Sequence, residues 1–183
     1  MGAESEENMT GDMVVNLYVQ DVWRKANKFN TRRIFPSDKE RLLSFIKETF
    51  QNEKGWVMEA EHAQHNGTCF ISVIDNRIVG FACYDCTGRG YFGPLGVANS
   101  ERGKGVGTEL LYACFDAMKN TGYGYAIIGW VDDTAKEFYE KTALATYIDN
   151  SSPSNTLYKT RILTENIQGW DMFDVYRKWG ISN

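Results

Sequence analysis

The chain has 183 residues, of which 43% are hydrophobic and 14% aromatic, a composition that supports one packed domain and excludes wholesale disorder. Its net charge is −4, and residues 1–12 contribute four acidic residues and no Lys or Arg. The rest of the chain therefore carries equal numbers of acids and bases, which argues against a nucleic-acid-binding surface because such a surface needs a basic excess.

Targeting and membrane signals are absent from the sequence pattern. No stretch combines a basic start with a long apolar run, and none reaches eighteen apolar residues in succession, so we expect neither a signal peptide nor a membrane span. The cysteines are scattered over the predicted elements, which is typical of free thiols. We therefore expect a cytoplasmic protein that binds no nucleic acid and no membrane. The cysteines are Cys69, Cys83, Cys86 and Cys114.

The first third of the chain predicts two helices and one short strand. Apolar side chains recur every three or four positions from Tyr18 to Phe29, which is typical of an amphipathic helix. A short strand is expected at 31–35. The segment 37–40 reads Ser-Asp-Lys-Glu, a capping box that predicts the start of a helix with an apolar face extending to Phe50.

Three strands follow in the middle of the chain. Aromatic, branched and alternating residues predict strands at 68–75, 77–85 and 90–97. Asp-Asn at 75–76 predicts a hairpin turn between the first two, and a glycine-containing turn at 87–90 joins the second pair.

The segment after these strands is the most informative part of the sequence. Gly103, Gly105 and Gly107 occupy alternate positions directly before an apolar-periodic helix. Without side chains at these positions, backbone N–H groups at the helix start can point outward, where the helix dipole places partial positive charge. Such a helix start binds phosphate, and the neighbouring Arg102 and Lys104 add positive charge.

The elements beyond this helix complete one domain. The nearly uninterrupted apolar run at 125–131 is typical of a buried strand parallel to its neighbour. A short helix is expected at 134–141, and two final strands are expected near 144–148 and 156–162.

These elements predict a simple domain organisation. Residues 1–12 form a flexible leader, 13–162 a single domain with its core at 31–162, and 163–183 a C-terminal helical extension. Aromatic residues at every third position of the extension either cover the domain or a partner subunit, as in a possible homodimer, or form a wall for a substrate. These aromatic residues are Trp170, Phe173, Tyr176 and Trp179.

Two common nucleotide-binding motifs are not supported. A Gly-x-Gly-x-x-Gly string occurs at 88–93, but extended chain follows it, whereas a dinucleotide fingerprint opens a helix. Gly103-Lys104 is followed by glycine rather than Ser or Thr, and no glycine lies five residues upstream, which disfavours a P-loop.

We expect no metal site. Cys83 and Cys86 form a Cys-x-x-Cys motif, but an offset of three on a strand directs the two sulfur atoms to opposite faces, and no second pair completes four ligands. Four polar side chains at 59–65 could form a metal cluster if this segment is helical, although a solvated polar segment is the commoner arrangement. They are Glu59, Glu61, His62 and His65.

The order strand, glycine-rich helix start, parallel strand and short helix with Tyr139 resembles the GNAT superfamily of acyl-CoA N-acyltransferases. Arg102, Gly105 and Gly107 match its Q/R-x-x-G-x-G/A signature in full. The resemblance covers roughly residues 31–162. It implies a mixed α+β fold whose central, mostly antiparallel sheet contains one splayed parallel strand pair and is flanked by helices.

The resemblance also implies acetyl-CoA as a cosubstrate. The diphosphate would lie on the helix start, and the pantetheine arm in the gap between strands 91–97 and 125–131, paired with the backbone of Leu95 and Val97. Pro94 has no N–H and suits a strand that bends there. The expected cofactor-binding residues are Leu95, Gly96, Val97, Arg102, Gly103, Lys104, Gly105, Val106, Gly107, Thr108 and Asp132.

Catalysis needs two proton transfers, and the resemblance places Tyr139 where the family has a tyrosine that protonates the departing thiolate. A phenol with pKa ~10 is protonated at neutral pH, and a thiol with pKa ~8.5 leaves more readily once its charge is quenched. The alternative is an ordinary helix tyrosine. A base would take a proton from the attacking amine, unless orientation against a polarised thioester suffices. The candidate bases are Glu59, Glu61, His62, His65 and Asp85.

Two positions depart from the family pattern: Asp132 stands where many members have Asn, and Ala143-Leu144 replaces Gly-Phe.

Our leading hypothesis is direct acetyl transfer, in a ternary complex, to a primary amine of a small molecule or a peptide. A small amine is favoured, with Trp56 and Tyr84 as candidate pocket residues. The two departures motivate an alternative, a catalytically silent acyl-CoA-binding regulatory module, although neither removes a group that the chemistry requires. A nucleotide-binding protein is a third hypothesis.

Overall fold

The computed structural model describes residues 11–18, 28–53, 55–148 and 151. Its strands are β1 (Gly11–Asn16), β2 (Thr31–Arg33), β3 (Cys69–Ile74), β4 (Arg77–Tyr84), β5 (Tyr91–Val97), β6 (Tyr125–Val131) and β7 (Thr146–Tyr147). Its α-helices are α1 (Lys39–Thr49), α2 (Trp56–His65), α3 (Val106–Asn120) and α4 (Asp133–Ala143).

The strands form one mixed sheet in the order β2-β3-β4-β5-β6-β1-β7. The pairing of β5 with β6 is parallel, and the other neighbouring strands are antiparallel. This arrangement confirms the predicted mixed α+β class with one parallel strand pair.

Local turn chemistry aligns β3 with β4. Asp75 and Asn76 have positive φ angles of 47° and 60°, as the two central residues of a type I′ hairpin require. Ile74 is therefore paired with Arg77, and the predicted hairpin is confirmed.

Helices cover both faces of the sheet. Helix α3 buries an apolar face that includes Leu110, Phe115 and Met118 in one core cluster. Helices α1 and α2 bury Leu42 and Ala63 in a second cluster. The strands between them are apolar on both faces because each face meets a helix.

Gly96 of β5 lies at a tightly packed point of the second cluster. A Cβ atom there would lie 2.7 Å from Cζ of Phe50 and 2.8 Å from Cε1 of Phe81. Because overpacking a core costs about 1–3 kcal/mol, we expect Gly96→Ala to lower the free energy of unfolding by that amount in urea denaturation. Gly124→Ala is the control, since nothing lies within 4 Å of its Cβ position. Equal losses in the two variants would contradict the prediction.

The start of α1 differs from the prediction. The capping box expected at 37–40 is wrong, because α1 begins at Lys39 with Asp38 rather than Ser37 as its N-cap, and Asp38 makes no side-chain capping bond to the helix. Its carboxylate instead accepts the Phe35 N–H at 3.1 Å and pairs with Arg32 at 2.7 Å. The hydrogen bond from Arg32 is the main reason that the pKa of Asp38 is lowered.

The boundaries of the domain differ at both ends. Gly11 and Asp12 belong to β1 and not to the predicted leader. The strand expected at 144–148 is shorter and comprises Thr146–Tyr147. Most of the helix expected from Tyr18 to Phe29, the strand at 156–162 and the C-terminal extension lie outside the described residues. Within the described part of the chain, no helix has the length and apolar character needed to cross a bilayer.

Candidate active site

A groove opens where the two parallel strands separate. Strands β5 and β6 are paired at Tyr91 with Ile127 and at Phe92 with Ile128. Beyond that point both strands continue but line opposite walls of a groove of about 860 Å³, which lies between residues 93–95 and 129–131. The gap is therefore V-shaped, and its apex is the last paired residues.

One wall of the gap presents backbone groups of β5 that point away from β4. The Ala98 N–H donates to the Val79 carbonyl of β4 at 2.9 Å. Since residues of an antiparallel ladder alternate in the direction of their polar groups, the N–H and C=O of Gly96 point towards β4. Those of Leu95 and Val97 point towards the gap, so the structure separates Gly96 from the other two predicted backbone partners.

The start of α3 leaves several backbone N–H groups without a helical acceptor. Gly103 and Gly105 have positive φ angles of 74° and 99°, which L side chains rarely adopt. The N–H of Glu109 donates to the Gly105 carbonyl at 3.1 Å, so the N–H groups of residues 106–108 precede the first helical bond. The turn at 102–105 is exposed, which leaves this helix start open to an anionic ligand.

Side chains around the helix start have different roles. The Arg102 Nε–H donates to the Val97 carbonyl at 3.2 Å, and this side chain also lines the groove. Lys104 is exposed and pairs with Glu101 at 3.1 Å. Val106 is buried in the core, so only its backbone is available to a ligand.

A segment from before β2 also reaches the helix start. The Glu109 carboxylate accepts the N–H groups of Lys28 and Phe29 at 2.9 and 3.1 Å. The Phe29 ring lies 3.7 Å from where a Cβ of Gly105 would be. Sequence reasoning missed this contact because it joins residues about eighty positions apart.

Tyr139 of α4 is half-buried and lines the groove. Its ring packs edge-on against Phe138 and Phe92, with centroids 5.1 and 6.3 Å away. Burial, and to a lesser degree the negative charge of Asp132, raise the pKa of the Tyr139 phenol. The hydroxyl therefore carries a proton throughout the neutral pH range.

Asp132 lines the same groove as the N-cap of α4. Its carboxylate accepts the Thr134 hydroxyl at 2.6 Å and the Ala135 N–H at 2.8 Å. The Thr134 hydrogen bond is the first cause of the lowered pKa of Asp132. An ionised Asp suits this position because a negative charge stabilises a helix N-terminus.

The two glutamates predicted on α2 separate. Glu59 lines the groove, and its Oε1 atom accepts the Thr87 hydroxyl at 3.1 Å. Glu61 lies outside the groove lining and forms an ion pair with Lys39 at 2.6 Å, which lowers its pKa. The structure therefore brings Glu59 to the groove and leaves Glu61 on the surface.

Asp85 lies outside the groove lining and connects two loops. Its carboxylate accepts the Gly90 N–H at 2.7 Å and the Tyr123 hydroxyl at 2.8 Å. Burial and this bond raise the pKa of Tyr123 to about 12. Both oxygens of Asp85 are thus engaged away from the other candidate residues.

The histidines of α2 also lie outside the groove lining. The His62 ring contacts the Asn66 amide at 3.0 Å near the end of the helix, and His65 is the last residue of that helix. Among the described residues, no group of three or more His, Cys, Asp or Glu side chains is arranged to hold a metal ion.

The strand geometry expected for the Cys-x-x-Cys motif, with the two sulfur atoms on opposite faces of one strand, is wrong. Strand β4 ends at Tyr84, and Asp85 turns the chain with a φ of 61°, so the strand rule no longer applies to Cys86. The Cys86 thiol donates to the Gly93 carbonyl at 2.8 Å. Burial is the main reason that the pKa of the Cys83 thiol is raised.

Other aromatic and acidic residues complete the groove. Trp56 lines it as predicted and packs on Phe50 with centroids 5.0 Å apart, whereas Tyr84 is buried in the core. Sequence reasoning missed Glu53 and Trp130, which also line the groove. The sequence indicates these two residues only by their positions. Glu53 lies three residues before Trp56, and Trp130 lies near the end of the buried strand β6.

The comparisons with known proteins agree with this geometry. The model of the Acetyltransferase (GNAT) family matches residues 31–143. This match spans more than half of the chain, and the chain belongs to that family. No curated protein matches it in sequence.

Solved structures share the fold at low identity. A GCN5-related N-acetyltransferase from Sphaerobacter thermophilus has a TM-score of 0.61 and 16% identity, covering 78% of this chain and 50% of that one. A GNAT-family acetyltransferase from Colwellia psychrerythraea has a TM-score of 0.60 and 11% identity, covering 77% and 53%.

A third structure contains a GCN5-related glucosamine N-acetyltransferase region within a fungal multi-domain GH3 beta-N-acetylglucosaminidase. Its TM-score is 0.60 at 18% identity, covering 79% of this chain and 20% of that one. The chain thus spans about half or less of the length of these structures, and at these identities the likeness shows the fold.

Proposed function

We propose that this protein transfers an acetyl group from acetyl-CoA to a primary amine in a ternary complex. The observation that carries the proposal is a single groove that joins the splayed strands β5 and β6 to Tyr139 and Arg102. Next to Arg102 lies the exposed, glycine-rich start of α3.

The cosubstrate is held mainly by backbone groups. The N–H groups of residues 106–108 bind its diphosphate, with the exposed turn at 102–105 and the guanidinium of Arg102 beside them. The polar groups of Leu95 and Val97 pair with the amides of the pantetheine arm. This places the thioester near the apex of the V-shaped gap, close to α4.

The reaction forms one C–N bond and breaks one C–S bond. The amine nitrogen attacks the thioester carbonyl carbon, and the sulfur leaves with the electron pair of the C–S bond. Tyr139 gives its proton to that sulfur, since burial keeps the phenol protonated. Glu59 accepts the proton that the amine loses, directly or through one water.

The groove lining favours a small amine as the acceptor. This lining combines negative charge with aromatic surface through Glu53, Glu59, Trp56 and Trp130. Carboxylates and indole faces favour a cationic ammonium group over an anionic acceptor.

The direct test measures thiol release from acetyl-CoA over a panel of primary amines and short peptides. At least one amine is expected to support turnover. Binding of CoA without turnover on any amine would indicate the silent acyl-CoA-binding module instead. Tighter binding of ATP than of CoA would indicate a nucleotide-binding protein.

Glu59→Gln is expected to lower kcat/KM for the amine roughly tenfold at neutral pH. This is less than a general base often contributes, because orientation of the amine supplies part of the acceleration. Glu61→Gln is the matched control, since Glu61 lies two residues away but pairs with Lys39 at the surface. Steady-state kinetics with varied amine measure both variants, and equal effects in the two would refute a role for Glu59.

A further inference from the structure

A buried carboxylate outside the family-matched region lies against the groove strand β6. Asp12 of β1 is 0% exposed. Its Oδ1 atom accepts the backbone N–H of Trp130 at 3.0 Å, across 118 positions of the sequence. A buried carboxylate is costly unless it is hydrogen-bonded, so this contact is not an incidental surface feature.

The contact coincides with an irregularity in the pairing of β1 with β6. Gly11 is paired with Val131, but Met13 is paired with Ile128. Two residues of β6 therefore lie opposite Asp12 alone, which defines a β-bulge. Trp130 is one of these two, and its φ angle is 56°, a left-handed conformation that a bulky L residue rarely adopts.

The Asp12 side chain takes the place of a missing ladder bond. In a regular pair the Trp130 N–H would donate to a backbone carbonyl of β1, and the bulge removes that option. The backbone of Asp12 is itself held, because its N–H donates to the Ser151 hydroxyl at 2.9 Å and its carbonyl accepts the Ile148 N–H at 2.9 Å. The carboxylate is thus anchored on a fixed part of the sheet.

The bulge lies where the groove opens. Parallel pairing of β6 with β5 ends at Ile128, and the bulge begins at the next residue, Gly129. Trp130 is 62% exposed and lines the groove together with Gly129 and Val131. The same local distortion therefore separates β6 from β5 and directs Trp130 away from the core.

We propose that Asp12 is a positioning residue for acyl transfer: by holding the bulge at Trp130, it sets the separation of β6 from β5 and so the width of the thioester gap. The inference rests on the proposed function for its kinetic consequence. The hydrogen bond between Asp12 and the Trp130 N–H can be measured independently, without an assay of acetyl transfer.

The structural readout is hydrogen exchange of the Trp130 amide, followed by NMR on the unmodified protein. The amide is expected to exchange slowly, although it lies in a bulge at the groove, because the buried carboxylate protects it. Exchange as fast as that of an exposed loop amide would overturn the inference, whether or not the protein proves to be an acetyltransferase.

The kinetic readout compares three variants. Asp12→Ala is expected to raise the KM for acetyl-CoA about tenfold with a smaller change in kcat, because the Trp130 N–H loses its acceptor and the bulge relaxes. Asp12→Asn keeps an oxygen acceptor and is expected to restore most of the affinity. Val15→Ala truncates a fully buried side chain of the same strand and is expected to reduce stability while leaving this KM unchanged.

These outcomes separate the inference from the proposed function. An inactive wild type would end the proposed function and leave the amide exchange to decide the inference. An active wild type with the same KM in Asp12→Ala, or with an equal rise in Val15→Ala, would overturn the positioning role. If Asp12→Ala does not fold, the amide exchange and the Asp12→Asn variant decide the question.

Discussion

Tyr139→Phe is expected to lower kcat for acetyl transfer by on the order of 10²-fold, because the variant keeps the ring but lacks the proton that the departing thiolate needs. The ring packs on Phe92 and Phe138, so the fold and CoA binding should be retained. Stopped-time assays of thiol release measure kcat, and calorimetry with CoA measures binding.

The matched control for this variant is Tyr125→Phe. Tyr125 is exposed at the opposite end of β6 from the groove residues, so loss of its hydroxyl should leave kcat unchanged. An unchanged rate in Tyr139→Phe would remove the acid role and leave Tyr139 as a packing residue of α4.

A comparison of the wild-type enzyme with Tyr139→Phe also tests how the rate depends on pH. Burial raises the pKa of Tyr139, so the phenol loses its proton only at strongly alkaline pH. The rate of the wild-type enzyme should therefore show no decline caused by Tyr139 between neutral and moderately alkaline pH. A decline that is present in the wild type and absent from Tyr139→Phe would contradict this assignment.

Gly105→Ala is expected to raise the KM for acetyl-CoA and the Kd for CoA by about 5- to 30-fold. Gly105 has a φ of 99°, and a left-handed conformation costs an L residue roughly 1–2 kcal/mol. The unliganded loop can relax to relieve this strain, whereas binding of the diphosphate needs the original conformation. The cost therefore falls on binding, at about 1.4 kcal/mol for each tenfold change in affinity.

Gly122→Ala provides the control for Gly105→Ala. Gly122 follows the other end of the same helix, has a φ of 96°, and has nothing within 4 Å of its Cβ position. The two substitutions impose similar strain on the backbone, but only one lies at the start of α3. Wild-type CoA affinity in Gly105→Ala would contradict the proposed diphosphate site.

Much of the fold was predictable because its signals are local. The hairpin at Asp75 and Asn76 follows from the positive φ angles that these residue types tolerate. The parallel placement of β6 follows from its continuous apolar run. The capping box failed because α1 begins at Lys39, so Asp38 takes the N-cap position expected for Ser37, and its carboxylate pairs with Arg32 instead.

The site was predictable in part, for the same reason. The glycine-rich helix start and Tyr139 lie in compact motifs, and the structure places Tyr139 and Arg102, which precedes that helix start, in the lining of one groove. The choice between Glu59 and Glu61 was not predictable. It depends on how α2 is rotated against the sheet, which the packing of Trp56 on Phe50 and Phe81 determines.

By itself, the sequence determined the class of fold, the glycine-rich helix start and the tyrosine of α4, since each depends on backbone preferences and periodicity within about fifteen residues. Only the tertiary structure decided which carboxylate faces the groove, where β6 leaves β5, and that Asp12 holds the Trp130 N–H. Contacts between residues more than a hundred positions apart depend on how whole elements pack, and no local pattern of side chains encodes them.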